Sequence, residues 1–314
     1  MNRLGSLILT ALHHYGAVVI VALVAGLGVP TLFAWLAHYV SYLLGLIFFL
    51  AALKLSFREV RQELRDVRLL AEVVVIMLVV LPAVVFGVAK LIVPDLALPL
   101  LLLAAMPTAM AAPLIVEVCG GRVSLAVVFT AATSLFAPFT IPFVLTIFTG
   151  ASVSVEAWPI FKTLLVVIAV PFALAELVKF ALPRLTLALT KVGSSLSTLS
   201  LGLLVAGIAA AQAVPIWAAF SSRSGLGLIA ILFVFFIVLQ MLGYYVAPWR
   251  TGQDRITVSI CLTYMNFALA LYLAQTFFPT PSVVVPIALS ALPWLIVPVV
   301  FQVVRQRLGL GLSN

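Results

Sequence analysis

The sequence predicts an all-α integral membrane protein of ten transmembrane helices, arranged as two inverted five-helix repeats, and three observations carry that prediction. Of 314 residues, 65% are hydrophobic and 8% charged, against roughly 45–50% and about 25% in soluble domains. Ten apolar stretches reach the length of about 20 residues that crosses a hydrocarbon core of roughly 30 Å. The basic residues, finally, crowd into alternate loops, as the positive-inside rule requires.

The chain begins with Arg3 ahead of Leu4–Leu12, which has a signal-peptide look, but His13-His14-Tyr15 stands where cleavage needs small residues. Residues 1–14 are therefore expected to remain as an interfacial segment. Spans are expected at 15–34, 38–54, 70–92, 96–119, 122–147, 157–180, 195–218, 225–247, 256–279 and 282–304, followed by a tail at 305–314. Between the second and third spans, Arg58, Glu59, Arg61, Glu63, Arg65, Asp66 and Arg68 place opposite charges at three- and four-residue spacing. That pattern suits a solvated surface helix.

Ten crossings put both termini on one side. With them fall Arg3, Lys54, Arg58, Arg61, Arg65, Arg68, Arg122, Lys179, Arg184, Lys191, Arg250, Arg255, Arg305 and Arg307, fourteen of seventeen basic residues, against Lys90, Lys162 and Arg223. Both termini are expected in the cytoplasm and the protein in the plasma (inner) membrane. Since five is odd, a second set of five spans enters the bilayer inverted, so 15–147 and 157–304 read as inverted repeats. Ser134, Pro138 and Pro142 of the fifth span are echoed by Ser290, Pro293 and Pro298 of the tenth.

The fourth span is interrupted by Pro107 and Pro113 around Thr108-Ala109-Met110-Ala111-Ala112. Inside a bilayer a helix breaks only where it is buried or lines a cavity, and discontinuous helices build the sites of many secondary transporters. Its repeat partner, the ninth span, carries Thr263-Tyr264-Met265-Asn266-Phe267 at mid-depth, with no proline or glycine to break it. Asn266, an amide in an apolar run, is the strongest polar candidate, either as a site residue or as an interhelical hydrogen bond. Thr130 and Ser134, one turn apart with Thr133 beside them, can present hydroxyls to the broken helix. The substrate-binding candidates are Thr108, Met110, Ala112, Pro113, Thr130, Ser134, Tyr264 and Asn266, with Pro107, Pro113 and Asn266 as the breaks. Glu117 is read as a gate or as a partner for Arg122, Glu176 as a partner for Lys179, and Gln212 and Gln240 as structural.

A formal charge of +8 would suggest nucleic acid in a soluble chain, but here it is scattered over short loops, and no nucleic-acid partner is expected. Cys119 and Cys261 lack disulfide or zinc spacing, and His13, His14 and His38 have no ligand partners nearby, so no metal site is expected. No nucleophile elbow, phosphate loop or carboxylate pair occurs, which argues against an enzyme and against a cofactor.

The stretch from Met106-Pro107 to Pro142, the segment Gly45–Leu55 and the surroundings of Asn266 resemble the bile acid:sodium symporter family, and the likeness extends along essentially the whole chain. The resemblance implies core and panel domains, spans four and nine crossing at their broken centres, and alternating access for an organic anion. It also implies a set of sodium positions, and this chain departs at most of them: Ala112 and Pro113 on span four, Ala126 and Thr130 on span five, Met77 on span three, Cys261 and Met265 on span nine. Thr130 and Asn266 are the vestiges. A hard cation needs several oxygen ligands, so the expected function is a secondary active transporter of a small or amphipathic organic anion, sodium-independent or only weakly sodium-dependent. Two alternatives share the span pattern: an arsenite-type efflux permease, and a binding or sensory membrane protein without flux. The oligomeric state is left open.

Overall fold

A computed structural model describes residues 17–54, 67–150 and 156–308. The expected interfacial segment 1–14, most of the charged linker and the end of the tail lie outside the described residues. What is described is helical throughout: α1 (Ala17–Gly28), α2 (Pro30–Lys54), α3 (Arg68–Ile92), α4 (Pro94–Ala104), α5 (Ala112–Val118), α6 (Val123–Thr149), α7 (Ala157–Ala181), α8 (Pro183–Ala211), α9 (Ala213–Ser221), α10 (Arg223–Tyr245), α11 (Gly252–Thr263), α12 (Phe267–Phe277) and α13 (Pro281–Val304). Among the described residues seven helices, α2, α3, α6, α7, α8, α10 and α13, are long and apolar enough to cross a membrane, while α1, α4 and α12 are shorter apolar helices. The protein is a multi-pass membrane protein.

Prolines shape the long helices. In α3 and α7 a five-residue π-turn, Ile76–Val80 and Leu165–Ala169, precedes Pro82 and Pro171, and the amides of Leu81 and Val170 reach back to the carbonyls of Ile76 and Leu165. The extra residue moves aside the carbonyl that each proline ring would otherwise strike. Pro138 and Pro142 are carried inside α6.

Helix α2 lies along α7 and α8, with α1 against α8, while α10 packs on α11 and α13, and α6 on α3, α5 and α7. Close approach of α2 and α8 depends on Gly207, where a Cβ would stand 2.8 Å from Leu36 Cβ and 3.0 Å from the Ala37 nitrogen; small residues give helices this intimacy in lipid.

Two boundaries differ from the expectation. The first two spans are expected at 15–34 and 38–54, but α1 ends at Gly28 and α2 starts at Pro30; the seventh is expected at 195–218, but α8 starts at Pro183 and ends at Ala211, with Gln212 separating it from α9. At 1.5 Å per residue, α8 is about 43 Å long. Its first half is polar on one face, which lowered the local hydropathy and hid it from a length-of-apolar-run criterion.

Candidate functional site

The two interrupted helices meet at their gaps. Ala109 donates its N–H to the Tyr264 carbonyl at 2.8 Å, and Asn266 donates to the Pro107 carbonyl at 2.7 Å. Thr108 and Met265 thus form an isolated antiparallel bridge. Each gap supplies backbone partners to the other, so polar backbone at the two breaks is satisfied inside the protein.

Each break is also closed by local chemistry. On the first, Pro107 has no N–H to continue α4, and Pro113 occupies the first turn of α5, where a proline is tolerated. Thr133 of α6 receives the Thr108 N–H on its Oγ1 at 3.1 Å and donates to the Phe129 carbonyl at 2.6 Å. Thr108 Oγ1 in turn donates to the Cys261 carbonyl of α11 at 3.1 Å and lies 3.9 Å from the Met77 sulfur. On the second, Asn266 caps α12, its Oδ1 accepting from the Leu269 N–H at 3.0 Å. The question of whether the ninth expected span is broken is answered by this cap: a side-chain acceptor replaces a carbonyl, and no proline is needed.

Behind the second break stands Trp294 of α13. Its indole N–H donates to the Met265 carbonyl at 3.0 Å, and its ring stacks on Tyr264 at 4.2 Å between centroids and on Phe267 at 5.5 Å. Sequence reasoning passed over this residue. Its signal was positional, because tryptophan favours the membrane interface and this one is fully buried within an apolar span.

Beside the crossing lies a cavity of about 240 Å³. Met110 and Pro113 from the first break, Thr130 from α6, Asn266 and Phe267 from the second break, Ile47 and Lys54 from α2, Ser194, Ser197 and Thr198 from α8, and Trp294 all face it. Of the expected binding residues, then, Met110, Pro113, Thr130 and Asn266 are on the wall. Thr108, Ala112, Ser134 and Tyr264 are buried behind it and shape the crossing instead. Thr130 Oγ1 turns back to the Ala126 carbonyl at 2.8 Å, so of the α6 hydroxyls it is Thr133 that bonds the broken helix. The Ser134 hydroxyl is fully buried without a partner.

Glu117 is exposed on α5 and does not line the cavity. Arg122 pairs with Asp254 of α11 at 3.2 Å, and Asp254 also accepts from Arg250 at 3.1 Å, so the pairing weighed between Arg122 and Glu117 is replaced by a longer-range one. The turn that places Arg122 there ends α5 with Gly120 at φ 70°, the Gly121 N–H on the Val116 carbonyl and the Gly120 N–H on that of Glu117, a Schellman closure. Glu176 pairs with Lys179, and Gln240 bonds Ser259 across to α11, as structural roles would have it.

Lys54, Ser194, Ser197 and Thr198 were not among the expected site residues. In the sequence Lys54 reads only as a topology marker, Ser194 lies just before the expected seventh span, and Ser197 and Thr198 lie at its start among other hydroxyl residues.

This geometry has relatives. Over 167 residues the chain is 27% identical to an uncharacterized sodium-dependent transporter of Bacillus subtilis (strain 168), YocS; the match takes in 52% of each protein, so the chain spans about half the length of that curated relative. A sequence profile matches far more of it, residues 11–306, taking in both breaks, the cavity wall and every helix described above. Such a match, in keeping with the resemblance to the bile acid:sodium symporters, makes the chain a member of the SBF-like CPA transporter family.

Proposed function

We propose that this protein is a secondary active transporter of a small or amphipathic organic anion, working by alternating access at the cavity beside the crossed breaks. The observation that carries the reading is the pair of hydrogen bonds joining the two gaps, Ala109 to Tyr264 and Asn266 to Pro107, next to a cavity walled by both. The reading takes the ten expected spans as real, with α1 as the first, α4 and α5 as the fourth, and α11 and α12 as the ninth. The inverted repeats 15–147 and 157–304, cytoplasmic termini and an inner-membrane location belong to it. So does a division into a panel of α1, α2, α7 and α8 and a core of the remaining helices, as the family resemblance implies, with α2 packed along both α7 and α8.

Two cavities support alternation. The one at the crossing faces α2 from Ile47 to Lys54, and another of about 500 Å³ faces the same helix at Ser41, Tyr42 and Gly45, together with Lys162 and Tyr272. The first takes the last turns of α2 and the second its middle, so α2 lines both, which suits a panel helix that rocks against a core. At Asn266 the Oδ1 is committed to the cap, leaving its amide hydrogens to offer, and donors suit an anion.

The chemistry of the vestigial sodium positions supports uncoupling from that ion. Met77 presents sulfur to the Thr108 hydroxyl and Cys261 meets it through its backbone carbonyl alone, so neither brings a side-chain oxygen, and no Asp or Glu faces the cavity among the described residues. Neither Cys119 nor Cys261 lines the cavity, which gives the arsenite alternative no thiol at the site. The deciding experiment is counterflow in proteoliposomes preloaded with an organic anion. Labelled anion is expected to accumulate equally in sodium and in choline buffers. Binding without exchange would favour the sensory alternative, and a steep sodium requirement would restore the ion site.

A further inference from the structure

The cavity wall carries one charged side chain among the described residues, the ammonium of Lys54. A lysine closing a transmembrane helix ordinarily extends toward the interface. This one crosses to the neighbouring helix instead: its Cε lies 3.5 Å from where a Cβ on Gly193 would stand, and its Nζ donates to the Ser194 hydroxyl. Ser194 thereby accepts from the ammonium and keeps its own proton to donate. Ser197 and Thr198 add hydroxyls about one turn along α8, and most of the remaining wall is apolar, with Ile47, Met110, Leu201, Phe267 and Trp294.

Several backbone donors of the crossing are already used, and the Asn266 amide hydrogens that remain belong to a neutral group. The amides of Ala109 and Asn266 bond across the breaks, those of Ala112 and Leu114 turn back to Ala109 and Ala111, and that of Leu269 is held by the Asn266 side chain. Charge discrimination is left to Lys54. We propose that Lys54 selects the ligand of this cavity, and that the ligand is a small amphipathic monocarboxylate. Its head group bridges the Lys54 ammonium and the Ser194 hydroxyl, and its apolar body points toward Trp294. One cation matches one negative charge, and lysine presents no planar fork of the kind that arginine offers to a larger oxyanion. At about 240 Å³ the cavity is smaller than the roughly 300–1,000 Å³ that holds a drug-sized body, so a single chain or a single ring fits and a fused-ring body does not.

This inference rests on reading the cavity as a substrate site, and its test separates the two. Full-length protein in phosphatidylcholine nanodiscs is titrated calorimetrically with octanoate, octanamide and octylammonium. Octanoate is expected to bind roughly tenfold tighter than either of the others, the lower end for a charge-assisted contact at a cavity mouth. Lys54→Gln brings octanoate to the level of octanamide, Lys54→Arg keeps most of the preference, and Ser194→Ala lowers it. Equal binding of the three probes by the unaltered protein, binding of none, or an undiminished preference in Lys54→Gln overturns the proposal. Counterflow of labelled octanoate in the same proteins then tells the readings apart. Lys54-dependent binding without exchange sinks transport and keeps the selector, whereas exchange unchanged by Lys54→Gln keeps transport and sinks the selector.

Discussion

The two helix breaks meet at one point and are made by opposite means. Between α4 and α5 the chain leaves the helix because Pro107 lacks a donor, and it re-enters through a first turn that holds Pro113. Between α11 and α12 only Tyr264, Met265 and Asn266 intervene, every residue keeps its N–H, and the helix stops because the Asn266 side chain takes the place of a carbonyl. A break by omission persists whatever surrounds it, since a proline interior to a helix costs about 3 kcal/mol. A break by capping depends on one acceptor and on the partner gap that receives the Asn266 N–H. The second break is therefore the weaker, and the element through which the crossing is most easily disturbed.

The largest effect follows from that dependence. Asn266→Ala removes the cap, worth about 1–2 kcal/mol at a helix N-terminus, and lets α11 and α12 approach one continuous helix, which would pull the Tyr264 and Asn266 backbone groups away from Ala109 and Pro107. Thermal unfolding is expected to drop by that amount and anion exchange to fall more than tenfold. Asn266→Asp retains the acceptor and should keep the stability of the unaltered protein. Equal stability of the Ala and Asp variants would mean that the gap is held by the first break alone.

Thr133→Val comes next and probes the first break from outside. Its Oγ1 receives the buried Thr108 N–H, and valine leaves that donor without an acceptor, at about 1–3 kcal/mol. Thr133→Ser should restore most of the loss. If Thr133→Val proves neutral, Thr108 has found another acceptor and the relay from α6 to the break is dispensable.

How far these features were legible differs residue by residue. Apolar length and the distribution of Lys and Arg made the membrane class plain, and Pro107 and Pro113 marked the first break, because proline acts through covalent geometry that any context preserves. Asn266 was conspicuous by the cost of an amide in an apolar run, yet its action as a cap depends on where its side chain turns, and sequence alone left a structural bond open beside a site role. Thr130, Thr133 and Ser134 lie within little more than one turn, so helical phase alone could not show that Thr133 reaches the break. Lys54 and Ser194 escaped for a tertiary reason: α2 and α8 are far apart in sequence, and only their packing brings an ammonium and a hydroxyl to the same wall. Trp294 escaped because hydropathy scores it with the apolar residues around it, though its indole N–H needs a buried acceptor and finds one in Met265.

The smallest effect sharpens the contrast between hydroxyls that bind the breaks and hydroxyls that do not. Thr130 donates to the Ala126 carbonyl one turn back in its own helix, a bond that adds little to a helix and offers nothing to a neighbouring one. Thr130→Val is expected to change stability by less than about 0.5 kcal/mol, well below Thr133→Val three positions along the same face. Because Thr130 lines the cavity and Thr133 does not, the order should reverse for ligand: Thr130→Val alters anion affinity at nearly unchanged melting temperature, and Thr133→Val alters melting temperature first. A Thr130→Val variant that loses stability without any change in anion binding would place its hydroxyl in the framework of the crossing and remove it from the wall where the ligand is expected to sit.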